Sequence, residues 1–129
     1  ARAERVESLH TRPLAPADRD RFQELWRTAQ AHFVDSPLTA VVEADQLVGE
    51  VMRSRGYPVA DFEQRAADLS VDHPLVVDNY RRGHALAAGA QGGKAGTEDL
   101  RQAMVYYRAL FEELLQVRTA EHEPELVTH

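Results

Sequence analysis

Three stretches of this chain set a polar residue against a helix-opening one: Asp35-Ser36-Pro37, Asp72-His73-Pro74 and Gly96-Thr97-Glu98. Ser, Thr and Asp side chains accept hydrogen bonds from the free N–H groups of a first helical turn. Proline fits that turn because its missing N–H would be unpaired there anyway. Between these stops apolar residues recur mainly at spacings of three and four, with no sustained strict alternation. That period belongs to helices. The expectation is therefore an all-α chain, a compact up-and-down bundle of four main helices plus one short helix, with Ser36 and Thr97 as caps.

The first helix opens at Pro16, with Asp18 and Asp20 near the positive end of its dipole. Its stripe is Phe22, Leu25, Trp26, Ala29 and Phe33. The second runs from Pro37 to about Arg55, where Gly56 and Pro58 stop it. At about 100° per residue, its apolar positions from Leu38 to Met52 cover more than half the circumference. A helix so broadly apolar is enclosed on several sides, so it is the expected centre. Glu43, Gln46, Glu50 and Arg53 mark its solvent edge, and Gly49 offers a place for a neighbour to approach. A short helix follows over roughly Val59–Leu69. The fourth starts near Pro74 with the stripe Val76, Val77, Tyr80, His84 and Ala87. The glycine-rich loop 89–96 precedes the fifth, which carries Leu100, Met104, Tyr107, Phe111 and Leu114. Residues 1–15 read as a polar arm or linker stump, 16–118 as the bundle and 119–129 as an acidic disordered tail.

Composition closes off several classes of function. The chain has 129 residues, no cysteine and a formal charge of −6. Without cysteine there are no disulfides, no thiolate catalysis and no cysteine-ligated zinc. An acidic body lacks the footprint that binds phosphate backbones, so nucleic acid is not an expected partner. No apolar run approaches the ~20 residues that cross a bilayer, so this segment does not insert in a membrane itself. A cytoplasmic setting is the expectation for this segment.

Metal and cofactor chemistry lack a template. A di-iron bundle needs two Glu-x-x-His pairs on facing helices, and only Glu7-Ser8-Leu9-His10 has that form, in the polar arm. No two histidines stand at the i, i+4 spacing of a zinc helix. There is no nucleophile elbow, no phosphate-binding loop with its Lys-Ser/Thr ending and no dinucleotide fingerprint. No catalytic residue, metal or cofactor is expected.

Two polar residues stand out on apolar faces. Asp45 is flanked by Leu38, Val48 and Met52, and a carboxylate there must find donors or lose its charge. It reads as the partner of an internal Arg, Tyr or His, which fixes how the helices register, or else as a group that binds a ligand amine or acts as a catalytic base. His84 reads either as a core histidine held by a carbonyl or carboxylate, or as a pH-sensitive imidazole. The ligand-binding or pH-sensing alternative therefore centres on Asp45, Tyr80, His84 and Tyr107. On the opposite side of the fourth helix, Leu75 and Leu86 lie near Arg82, and Val105 points away from the main seam of the fifth. These are the candidates for a partner surface.

Trp26, Gln30, Phe33-Val34-Asp35-Ser36-Pro37, Ala44-Asp45, Thr97-Glu98-Asp99-Leu100-Arg101 and Tyr107-Arg108 form a further pattern over roughly residues 22–118. It resembles a helical module found in uncharacterised actinobacterial proteins. The resemblance implies a bacterial chain in which the module is a terminal attachment to a longer protein, and it implies no assigned activity. The resulting expectation is a non-enzymatic protein-interaction module, engaging a protein partner or a second copy of itself.

Overall fold

A computed structural model describes residues 11–93 and 96–115. The expected tail, residues 1–10 of the arm, the Glu7–His10 tetrad and the last three residues assigned to the bundle lie outside the described residues. Within them the fold is all-α: five helices and no strand. We number them α1 (Pro16–Asp35), α2 (Pro37–Ser54), α3 (Phe62–Asp72), α4 (Pro74–Gln91) and α5 (Thr97–Leu115).

As its broad apolar face requires, α2 is the centre, packing against α1, α4 and α5. Val41, Ala44, Val48, Val51 and Met52 are wholly buried there. The Trp26 ring of α1 stacks on Phe111 of α5 at 5.1 Å, closing the bundle on the other side. The short α3 starts at Phe62 rather than Val59, and Val59 packs against the core from the preceding loop. Two leucines expected in the core are not there. Leu25 and Leu38 remain 41% and 42% exposed, because each sits at the edge of its stripe where no neighbouring helix reaches.

The caps differ from expectation. Each of the links α1–α2 and α3–α4 is a single residue, Ser36 or His73, and serves both helices at once. The Ser36 N–H donates to the His32 carbonyl (2.8 Å), and its own carbonyl accepts from Ala40 (3.0 Å). Its hydroxyl donates to Thr39 Oγ1 (2.8 Å) instead of capping the helix. His73 does the same with Leu69 and Val77, so Asp72 closes α3 and does not open α4. At α5 the Gly96 carbonyl accepts the first helical bond, from Leu100 (3.1 Å). Gly96 is therefore the capping position, and Thr97 is the first helical residue.

Residues 11–15, read as part of the arm, lie against the bundle. Leu14 is buried, and the Arg12 N–H donates to the Arg55 carbonyl (2.9 Å). Arg55 itself is only 8% exposed. Its guanidinium donates to the Arg12 carbonyl (2.6 Å) and the Leu114 carbonyl (2.7 Å). The charge is thus held by backbone oxygens, one from the last turn of α5, where a cation also suits the helix dipole.

Candidate functional site

Asp45, Tyr80, His84 and Tyr107 come together from three helices. Tyr107 is fully buried on α5 and donates its hydroxyl to Asp45 Oδ1 of α2 at 2.5 Å. His84 of α4 places Nδ1 3.1 Å from the same oxygen. A carboxylate only accepts, so that ring nitrogen carries the proton. The Tyr80 ring stacks on His84 at 5.3 Å, with 11° between the planes, and also meets the Phe62 ring of α3, tilted by 53° at 4.5 Å. Asp45 is the hub. Its side chain keeps 26% of its surface in contact with solvent.

A glycine makes this cluster possible. A methyl group on Gly83 would lie 2.8 Å from Tyr107 Cε1 and 3.0 Å from Cδ1. Only a residue without Cβ lets the tyrosine ring pass this close to the α4 backbone. Gly49, the glycine expected to admit a neighbour, meets nothing closer than the side chain of Arg53 on its own helix (3.7 Å).

Burial pushes the Tyr107 hydroxyl far above the ordinary tyrosine range, and the Asp45 hydrogen bond and charge push it further. Tyr107 is thus a fixed neutral donor. Tyr80 is raised for the same first reason, burial, and then by the Asp45 charge. On the outer side the Arg81 guanidinium donates to Glu63 (2.7 Å) and holds that carboxyl below the usual range. This pair ties α3 to α4.

The carboxylate edge of the cluster opens into a groove of about 660 Å³ between α1, α2 and α4. Its apolar walls include Leu25, Val59 and Tyr80, and its polar lining includes Glu43, Glu50 and Arg53. Glu43 is engaged by His32 Nδ1 of α1 at 2.7 Å. Glu50 and Arg53 have no ion-pair partner among the described residues. His84 and Tyr107 do not line the groove and are joined to it through Asp45. A smaller hollow of about 240 Å³ lies on the other flank of α1, between Gln30, Phe33, Arg101, Met104, Val105 and Arg108.

The partner-surface candidates do not form one patch. Leu75 is exposed, whereas Leu86 is half-buried and packs against the core. Expected outward, Leu86 is covered because the α4 core face is wider than the Tyr80 stripe alone. Arg82 is exposed but engaged, donating to Asp78 (2.9 Å) and lying 5.8 Å from the centroid of the Tyr106 ring. His84, expected within the buried stripe, has a side chain 54% exposed, so it is a surface imidazole leaning on a half-buried carboxylate.

Chemically the cluster can hold a proton or a cation at Asp45. The only hydrogen bond of the His84 side chain among the described residues is to that carboxylate, so no hydroxyl nucleophile is held against the imidazole. Among the described residues no three His, Asp or Glu side chains are gathered closely enough to hold a metal ion. No helix of the described residues is long and apolar enough to cross a membrane. Comparison with protein-family models, curated proteins and solved structures found no match.

Proposed function

We propose that this chain is a non-enzymatic protein-interaction module of a longer bacterial protein, working in the cytoplasm, and that the groove between α1, α2 and α4 is its binding face. The observation that carries this reading is the groove's composition. It combines an exposed leucine and half-exposed aromatic surface with unpaired charges of both signs on α2. Binding sites for protein side chains pair apolar contact area with charges that fix register. Leu25→Glu tests it, since this residue walls the groove without belonging to the core. Capture from an actinobacterial lysate should lose a defined protein when this variant replaces the wild type, at unchanged thermal stability. An identical set of captured proteins would remove the groove from consideration.

A second reading, a small-ligand or pH-sensing pocket, is favoured by the convergence of Asp45, Tyr80, His84 and Tyr107 on one oxygen and one stacked pair. The two readings separate at Asp45→Asn. If the carboxylate serves the fold, its loss destabilises. If it serves a ligand, its loss is neutral or stabilising, as at many functional sites.

A further inference from the structure

Two outward stripes of this molecule share one spacing and carry opposite charge patterns. On α2, Glu43, Gln46, Glu50 and Arg53 stand at i, i+3, i+7 and i+10 and line the groove. On α5, Glu98, Arg101, Val105 and Arg108 stand at the same intervals. The last three of these line the hollow on the other flank of α1. We propose that the groove receives the α5 stripe of a second copy of this chain, the two helices running antiparallel. This deepens the reading of the groove as a binding face and rests on it.

In that register Glu43 meets Arg108, Glu50 meets Arg101 and Arg53 meets Glu98. Val105, 52% exposed, stands opposite Gln46 and enters the groove beside its apolar walls. The two glutamate–arginine matches are set by helix geometry, since seven residues span about 10.5 Å on either stripe, and the Arg53–Glu98 match follows three residues further on. A parallel arrangement matches only the two glutamates with the two arginines, and sets Arg53 opposite the buried Phe111. The charge order therefore selects the antiparallel direction.

The stripes are open to this exchange, in which Glu43 trades its exposed contact with His32 Nδ1 (2.7 Å) for Arg108. Arg101 and Arg108 are paired only within their own helix, to Glu98 (3.5 Å) and Glu112 (3.2 Å), with both arginines more than half exposed. Exposed pairs of this kind contribute little and are readily traded. On α1, Leu25 and Thr28 lie on one side of the buried seam and Gln30 on the other, so groove and stripe occupy different faces. A contact between different faces is heterologous, and each added copy leaves one groove and one stripe open.

The test is sedimentation of the whole chain over concentrations up to about 1 mM, where weak, small interfaces are populated. Wild type should show a mean mass rising with concentration, and should return to monomer in 1 M salt, where the Debye length is about 3 Å. Glu50→Arg alone and Arg101→Glu alone should each stay monomeric, with helicity and melting like the wild type, since both positions are exposed. Mixed one to one, they should associate again, because each groove then finds a stripe of opposite charge. A wild type that stays monomeric overturns the proposal, as does association that both variants retain, or that mixing does not restore. Loss of a captured partner with Leu25→Glu while the wild type stays monomeric would retain the groove and discard the second copy as its occupant.

Discussion

Replacing Gly83 by alanine adds one methyl group, and in most helices that would be a gain. Alanine is about 1 kcal/mol better than glycine in a helix interior. Here the new carbon would stand 2.8, 3.0 and 3.2 Å from three atoms of the Tyr107 ring. That ring is wholly buried, and its hydroxyl is held on Asp45 at 2.5 Å, so it has no free volume to enter. Relief requires either α4 to move out or the ring to tilt off its carboxylate. Overpacking of this size costs about 1–3 kcal/mol. Losing the charge-assisted hydrogen bond adds up to about 1.5–3 kcal/mol, discounted because water reaches Asp45. Against the propensity gain, Gly83→Ala should lower stability by about 1–3 kcal/mol.

Urea melts provide the measurement, read as a shift in midpoint at constant slope. Two controls isolate the cause. A Cβ at Gly89, on the same helix, would meet nothing within 4 Å, so Gly89→Ala should stabilise, by up to about 1 kcal/mol. In a Tyr107→Leu background the ring is gone, and Gly83→Ala should turn from harmful to neutral or helpful. A Gly83→Ala protein as stable as the wild type would refute the tight approach. A penalty unchanged in the Tyr107→Leu background would show that its origin lies elsewhere.

Asp45→Asn should cost about 1–2 kcal/mol in the same assay, below the ~3–5 kcal/mol of a fully buried broken pair because a quarter of Asp45 is wet; a more stable mutant would promote the ligand reading. Arg55→Met keeps an unbranched apolar stem but leaves the Arg12 and Leu114 carbonyls without their donor, and should cost about 2–3 kcal/mol; a loss under about 0.5 kcal/mol, the scale of ordinary surface changes, would show that the clamp is dispensable. The tyrosines set the alkaline limit. Tyr57, Tyr80 and Tyr107 are all raised, burial being the largest cause in each, whereas unfolded tyrosines ionise near ~10. Above that pH the unfolded chain binds fewer protons than the folded one, so stability is complete below about pH 10 and falls as pH rises. Tyr107→Phe should flatten that fall, as read from melts between about pH 8 and 11, and an unchanged slope would remove Tyr107 as its source.

How much of this was legible in the chain depends on how far apart the interacting residues stand. The helices and the central place of α2 follow from apolar spacing, a signal contained within each element, and Asp45 was conspicuous because it interrupts an apolar face. His84 and Tyr107 were visible as polar groups on helix stripes. Their meeting on one carboxylate oxygen depends on how α4 and α5 rotate about their axes, which no local pattern encodes. Ser36 shows the opposite failure. Its local chemistry suggested a side-chain cap, but a one-residue link leaves the backbone of two helices to satisfy each other, and its hydroxyl turns to Thr39.

Gly83 and Arg55 gave the least warning. A glycine within a helix reads as a weakness until the ring it admits is known, and that ring belongs to the next helix. Arg55 stands at a helix end, where a cation is ordinary. Its partners are main-chain carbonyls 43 and 59 positions away, and a carbonyl carries no residue identity to read. The bundle is therefore drawn by local periodicity, while the Asp45 cluster depends on Gly83 and the closure of residues 11–15 and α5 on Arg55, residues whose roles arise only when distant segments meet. Substitutions at Gly83 should accordingly disturb the Asp45 cluster more than changes at the conspicuous Leu75, whose side chain is half exposed.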